Sequence, residues 1–428
     1  MGEHDSSVAP TASNQRFRQQ NIEAITAYYK RGIKRSSHAL GIEVEHFITN
    51  ADGSPVPYSG EHGVAWLLEQ LSETYPERTY GSDNKLIGVA KPGATVTLEP
   101  GAQLELSAGP FENLAEAKKT FEQFLSDVAS IIAPYGMSIE AYGYRPTGKA
   151  CDIELIPKAR YDYMNSYFEH IGPYGTYMMR GSAATQVSID YYSVEDCLKK
   201  LRIASACAPL FALICDNTPV FEGEKRTHPV MRSDVWLYCD PDRTGTVPGV
   251  LSEGFSLEDY ASFVLDAPAI LVPDGTGYRA CTRTFGEEYA NRAMSQADVE
   301  HALSMFFTDA RLKTYIEIRP ADSMKPEYVT SYAALIKGLF YNGENVDYLS
   351  TWAAAISESD VAAAKSAVAA AGYNGTVYGK PAFEQVDMLF SLAVNGLDNA
   401  ELAYLKPLAD LAQARTTLAD KPENRWIG

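Results

Sequence analysis

Residues 41–48 read GIEVEHFI. Branched and aromatic residues favour a strand here, yet two glutamates stand one residue apart. Side chains alternate across a strand, so Glu43, Glu45 and Phe47 share one face, and Ile42, Val44, His46 and Ile48 take the other. The two carboxylates would lie roughly 7 Å apart, two rises of about 3.3 Å. Two readings fit this strand alone. One is an antiparallel strand with a wet face; the other is a pair of acids sharing a cation.

Three further strand candidates repeat the pattern. In TLEPGAQLELS (97–107), Gln103 and Glu105 oppose Leu104 and Leu106, with Glu99 just before a Pro-Gly bend. In TQVSID (185–190), Gln186, Ser188 and Asp190 oppose Val187 and Ile189. In YIEIRPAD (315–322), Glu317 and Arg319 oppose Ile316 and Ile318. Like charges facing one another across strands destabilise pairing, so acids gathered on one sheet face call for a hard, oxygen-seeking cation such as Mg²⁺. Spacing does not say which strands are neighbours. A second set is basic: Arg160, Arg232 and Arg243 each stand beside aromatic or turn residues. Each fits a surface arginine with a packed stem or a planar fork for carboxylate or phosphate.

The chain has 428 residues and a net charge of −18. That acidity argues against nucleic acid and against an anionic membrane surface. No apolar run approaches the roughly 18 residues of a membrane span, and the N-terminus lacks the apolar core of a secretory signal. The six cysteines are scattered with no CxxC pair, which favours a reducing, cytoplasmic setting over a disulfide frame or zinc site. Neither GxxxxGK[ST] nor a strand-borne GxGxxG occurs, so any nucleotide is held by other means. Oligomeric state leaves no mark in the sequence.

Apolar spacing predicts helices over 15–37, 64–75, 112–135 and 194–217, and strands over 41–48, within 85–110, over 184–192 and over 311–322. The expected class is α+β: a mainly antiparallel sheet with helices packed on one side. The expected organisation is a disordered tail over 1–20, a catalytic domain over 21–325 and a helical C-terminal extension over 326–428, where Ala-rich segments dominate.

The stretches GIEVEHF, LEPGAQLELSAGP, IPKARYDYM, TQVSID, MRSDVW, DPDRTG, FVLDAP and YIEIRPAD, in this order over about 40–322, resemble the glutamate–cysteine ligase family, particularly its plant and α-proteobacterial branch. The resemblance implies the glutamine synthetase superfamily fold, an antiparallel sheet curled into a funnel around the active site. It implies that Glu43, Glu45, Glu99, Glu105, Gln186 and Glu317 hold two or more Mg²⁺ ions, and that Arg160 and Arg232 hold glutamate. It further implies that Arg243 and Arg319 stabilise a transferring phosphoryl group. The family's arginine before the TxQVxxD strand falls one residue early here, at Arg180. The cysteine pairs that serve plant members as redox switches have no counterpart after Cys281 or within 112–135.

The implied reaction joins the γ-carboxyl of L-glutamate to the amine of L-cysteine, with ATP as co-substrate and an acyl phosphate as intermediate. A carboxylate is already nucleophilic at neutral pH, so this chemistry asks for positioning and charge neutralisation more than for a base. An amine other than cysteine is the alternative. Glycoside hydrolysis by paired carboxylates accounts for neither the arginines nor the cation, and a non-catalytic metal- or metabolite-binding protein is a further class.

Overall fold

Alternation in the four polar strands sorts the residues of one sheet onto a wet face and a dry face. The computed structural model describes residues 12–81 and 84–421 and shows a mixed helix-and-sheet fold. Its main sheet has nine strands. In chain order these are β1 (Leu40–Thr49), β2 (Glu77–Tyr80), β3 (Leu86–Lys91), β4 (Ala94–Leu98), β5 (Leu104–Phe111), β6 (Ser138–Glu140), β7 (Thr185–Ile189), β8 (Ala310–Leu312) and β9 (Ile316–Ile318). They lie side by side as β8–β9–β7–β1–β5–β4–β3–β2, with β6 paired to the end of β1. Every pairing is antiparallel.

Register brings the polar positions together. Glu43 faces Gln186 of β7 on one side and Ser107 of β5 on the other. Glu45 faces Glu105, which in turn faces Thr97 of β4. At the far edge Glu317 sits between Ser188 and Arg311. A slip of one residue in any strand would send these groups into the core.

The other face is dry. Ile42, Val44, Leu104, Leu106, Val187, Ile189, Ile316 and Ile318 are all buried, each worth about 1.5–3 kcal/mol of apolar burial. The helix Leu114–Ile132 lies against β5, and the helix Pro326–Phe340 against β1 and β7. The first begins where the Asn113 side chain accepts from the Glu116 N–H, and ends in a short 3₁₀ turn closed by Gly136 at φ 72°, a conformation that glycine adopts without penalty.

Three expectations are corrected. The helix expected over 15–37 spans Ala12–Lys30. It stops because Gly32 is pressed against Tyr191 and the Thr314 carbonyl, where a β-carbon would come within 2.2–2.3 Å of both. The tail expected over 1–20 is therefore helical from Ala12; residues 1–11 lie outside the described residues. The single strand expected over 311–322 is a hairpin, β8 and β9, closed by a tight turn in which the Lys313 N–H donates to the Tyr315 carbonyl at 2.8 Å.

His46 sits on the dry face, 2% exposed, with its ring 5.7 Å from that of Phe124. Burial lowers its pKa to about 4, against the opposing pull of the Leu104 carbonyl. The folded-state pKa is thus below the unfolded one, and the unfolded chain takes the extra proton in between. His46 therefore contributes fully above about pH 6.5, and its contribution is lost as pH falls towards 4. Urea unfolding of wild type and His46→Gln is expected to show a stability difference that shrinks by about 2 kcal/mol between pH 7 and 4.5. A difference constant with pH would contradict this placement.

Candidate functional site

A cavity of about 300 Å³ opens over the polar face of the sheet. Glu43 and Glu45 of β1, Glu105 of β5 and Glu99 from the β4–β5 turn contribute its carboxylates, and Gln186 of β7 an amide. The turn places Glu99 there by itself: the Glu99 N–H donates to the Gln103 carbonyl at 3.0 Å, and the Ala102 N–H returns to the Glu99 carbonyl at 2.9 Å. Arg160, Arg311 and Arg319, with Lys158 and Lys313, complete the charged wall.

The Gln186 amide nitrogen donates to Glu43 at 3.4 Å and Glu45 at 3.3 Å, and its carbonyl oxygen accepts from Arg319. Glu45 also accepts from the Ala184 N–H at 2.9 Å. Glu105 accepts from Thr97 at 2.8 Å and Ser107 at 3.3 Å. These bonds do not neutralise the acids. Burial, together with Glu105 and Glu317, raises Glu43 to about 8. Burial and Glu99 raise Glu105 to about 7. Burial, Glu99 and Glu105 push Glu45 well above the carboxylate range.

Glu317 is different. It is fully buried and does not line the cavity. Arg311 grips it from Nε at 2.7 Å and Nη2 at 2.9 Å, and Arg319 adds a bond at 2.8 Å. Burial alone would raise its pKa, but Arg311, Lys313 and Arg319 hold it well below the usual range. As placed, Glu317 anchors the cationic edge of the site, with both oxygens engaged by arginines.

The arginines divide. Arg160 lines the cavity, donates to Ser304 at 3.3 Å and has a buried Nε without a hydrogen-bond partner. Arg232, 3% exposed, stands one layer behind and shares a smaller pocket with Arg319 and Trp236. Its guanidinium lies 5.7 Å from the Trp236 ring and 3.9 Å from Asp322, and its Nε is also unpartnered. Arg243, expected as a phosphoryl stabiliser, does not line the cavity. It has no exposed surface and spends its donors on Asp240, Tyr167 and the Met305 and Pro268 carbonyls. Arg180 likewise ties together the Ile153 carbonyl and Asn165.

Lys158, Arg311 and Lys313 line the site without having been singled out from the sequence. The signal was present. RLK at 311–313 alternates in the same period of two as IEIR, and Lys158 stands two residues before Arg160.

Residues 39–378 match the family model described as glutamate–cysteine ligase family 2. The chain belongs to this family. The match carries the family beyond the 40–322 of the recognised motifs and into the C-terminal helices. Among members of the glutamate–cysteine ligase family, the chloroplastic glutamate–cysteine ligase of Arabidopsis thaliana is 30% identical over 334 residues. That alignment covers 76% of this chain and 63% of the plant protein. The chloroplastic glutamate–cysteine ligase B of Oryza sativa subsp. japonica is 26% identical over 417 residues, 94% of this chain and 84% of the rice protein. The crystal structure of a glutamate–cysteine ligase from Francisella tularensis in complex with AMP shares the fold at a TM-score of 0.54 and 11% identity, covering 92% of this chain and 84% of that one.

Among the described residues no three carboxylate, imidazole or thiolate groups converge closely enough to form a ready-made metal cage. The donor set still suits Mg²⁺, which takes one or two carboxylates and completes its shell with water and substrate phosphates. Glu43 ties the metal-free site to pH. Its folded-state pKa of about 8 lies above the unfolded value of 4.5, so the folded chain holds the extra proton, and stability is lost as pH rises through that interval. Glu43→Gln is expected to stabilise the metal-free protein at pH 8 by about 4 kcal/mol, the gain fading below about pH 5. Urea midpoints across this range check it, and a gain independent of pH would contradict it.

Proposed function

We propose that this chain ligates the γ-carboxyl of L-glutamate to the amine of L-cysteine at the expense of ATP, releasing ADP and phosphate. The observation that carries the reading is a single cavity over one sheet face, lined by four glutamates and three arginines. Family membership supports it. In this reading the polar face is the inner wall of the funnel that the resemblance implies, and Glu43, Glu45, Glu99 and Glu105, with Gln186 beside them, are the groups that would hold Mg²⁺. The bound ion supplies neutralisation of phosphate charge.

Arg160 and Arg232, each with an unpartnered buried Nε, are proposed to hold the carboxylates of glutamate in bidentate fashion. The nucleotide is assigned to the neighbouring cavity of about 630 Å³, which shares Glu43 with the first and has a floor of small residues, Gly41, Ser107 and Ser188. The γ-carboxylate oxygen attacks the terminal phosphorus, and the bond to ADP breaks. The amine then attacks the acyl carbon and loses a proton, and phosphate departs with one carboxyl oxygen. Arg319, beside Gln186 at the centre of the face, adds fixed positive charge where phosphate charge is displaced.

Glutamate carrying ¹⁸O in its γ-carboxyl tests this directly. One labelled oxygen is expected in inorganic phosphate for each dipeptide formed. Unlabelled phosphate accompanying dipeptide would exclude the acyl phosphate, and label in AMP would point to adenylation. ADP release across a panel of amines checks the second substrate: cysteine is expected to give the highest kcat/KM, and a clear preference for another amine would reassign it.

A further inference from the structure

The cationic edge of the site carries more positive charge than its one anchor requires. Glu317 already has both oxygens engaged by Arg311 and Arg319. Arg311 also donates from Nη1 to the Phe306 carbonyl at 3.0 Å, and Arg319 is also bonded to Gln186. Lys313 is less committed. Its ammonium lies 3.6 Å from Glu317 and 3.3 Å from the Tyr315 hydroxyl, the long end of hydrogen bonding. An ammonium has three donors, and this side chain keeps 23% of its surface open.

Its position matters as much as its spare donors. Lys313 lines the arginine-rich cavity, while the next two residues, Thr314 and Tyr315, line the larger one, and Glu43 lines both. The β8–β9 turn therefore sets Lys313 where the two chambers meet. The ligase reading, on which this inference rests, puts an acceptor carboxylate in one chamber and a nucleotide in the other. Attack requires the carboxylate oxygen and the terminal phosphorus to come within bonding reach, which can happen only at that boundary.

We propose that Lys313 is a catalytic residue that donates hydrogen bonds to the terminal phosphoryl group of the nucleotide as it passes to the glutamate γ-carboxylate. No proton is transferred by Lys313. The phosphorus–oxygen bond to ADP breaks with its electron pair going to ADP, the bond to the carboxylate oxygen forms, and the ammonium stays charged throughout. Fixed charge aimed at the oxygens of a transferring phosphoryl is a main source of rate in such reactions.

The test compares two ligands by calorimetry with Mg²⁺ present: ADP and the β,γ-imido analogue of ATP. Lys313→Met is expected to weaken the analogue about tenfold, the worth of one charge-assisted contact, and to leave ADP affinity unchanged. Lys313→Arg is expected to recover part of the analogue affinity and of kcat. Equal weakening of both ligands would place the lysine on the inner phosphates and overturn the proposal, as would no change in either. If Lys313→Met melts well below wild type, the same pair of affinities is read on Lys313→Gln, which keeps a donor towards Tyr315. Wild-type protein that binds neither nucleotide would instead overturn the ligase reading itself.

Discussion

Desolvation and mutual repulsion of carboxylates gathered on one half-buried sheet face are the constraint around which this molecule is arranged. Glu43, Glu45, Glu99 and Glu105 share one cavity, and the raised pKa values of Glu43, Glu45 and Glu105 record the cost of keeping them charged and apart from water. A fold selected for stability alone would place apolar or oppositely charged groups there. The acids persist because strand register holds them. Glu45 cannot leave Glu105 without breaking the β1–β5 ladder, and that ladder is fixed from behind by the dry face packed on two helices.

The same face resolves its charge in space. From β8 to β4 it runs from cations, through the Glu317 anchor and the Gln186 bridge, to the acids of β1 and β5. Gln186 is the hinge of this gradient, donating to the acids and accepting from Arg319. A cationic edge and an acidic centre are thereby set side by side on one sheet face, the juxtaposition on which the proposed phosphoryl transfer to a carboxylate rests.

Much of this was legible in the sequence where a period of two carried it. GIEVEHFI, LELS and QVSID each declared a wet and a dry face, and the structure brings their polar residues onto one surface. Pairing order was not legible, because alternation says which face a residue takes and nothing about its neighbour. The β8–β9 hairpin was read as one strand because its turn, Lys313–Tyr315, has neither glycine nor proline to mark it. Arg243 shows a related limit of the pattern: a guanidinium beside turn residues looks alike whether it faces a cavity or, as here, donates to Asp240 and two carbonyls. Arg311 and Lys313 carry no signal beyond their alternation, because alternating cations read the same on a solvent-facing strand as on one that lines a site.

The central claim is that the clustered acids are held apart for a divalent cation. Crystals grown at about pH 8 and soaked in Mn²⁺, which takes the same oxygen ligands as Mg²⁺, test it most directly through anomalous scattering. The expected result is a strong peak bordered by carboxylate oxygens of Glu45, Glu99 and Glu105. A map with no peak over this face, or with manganese bound only elsewhere, would contradict the account.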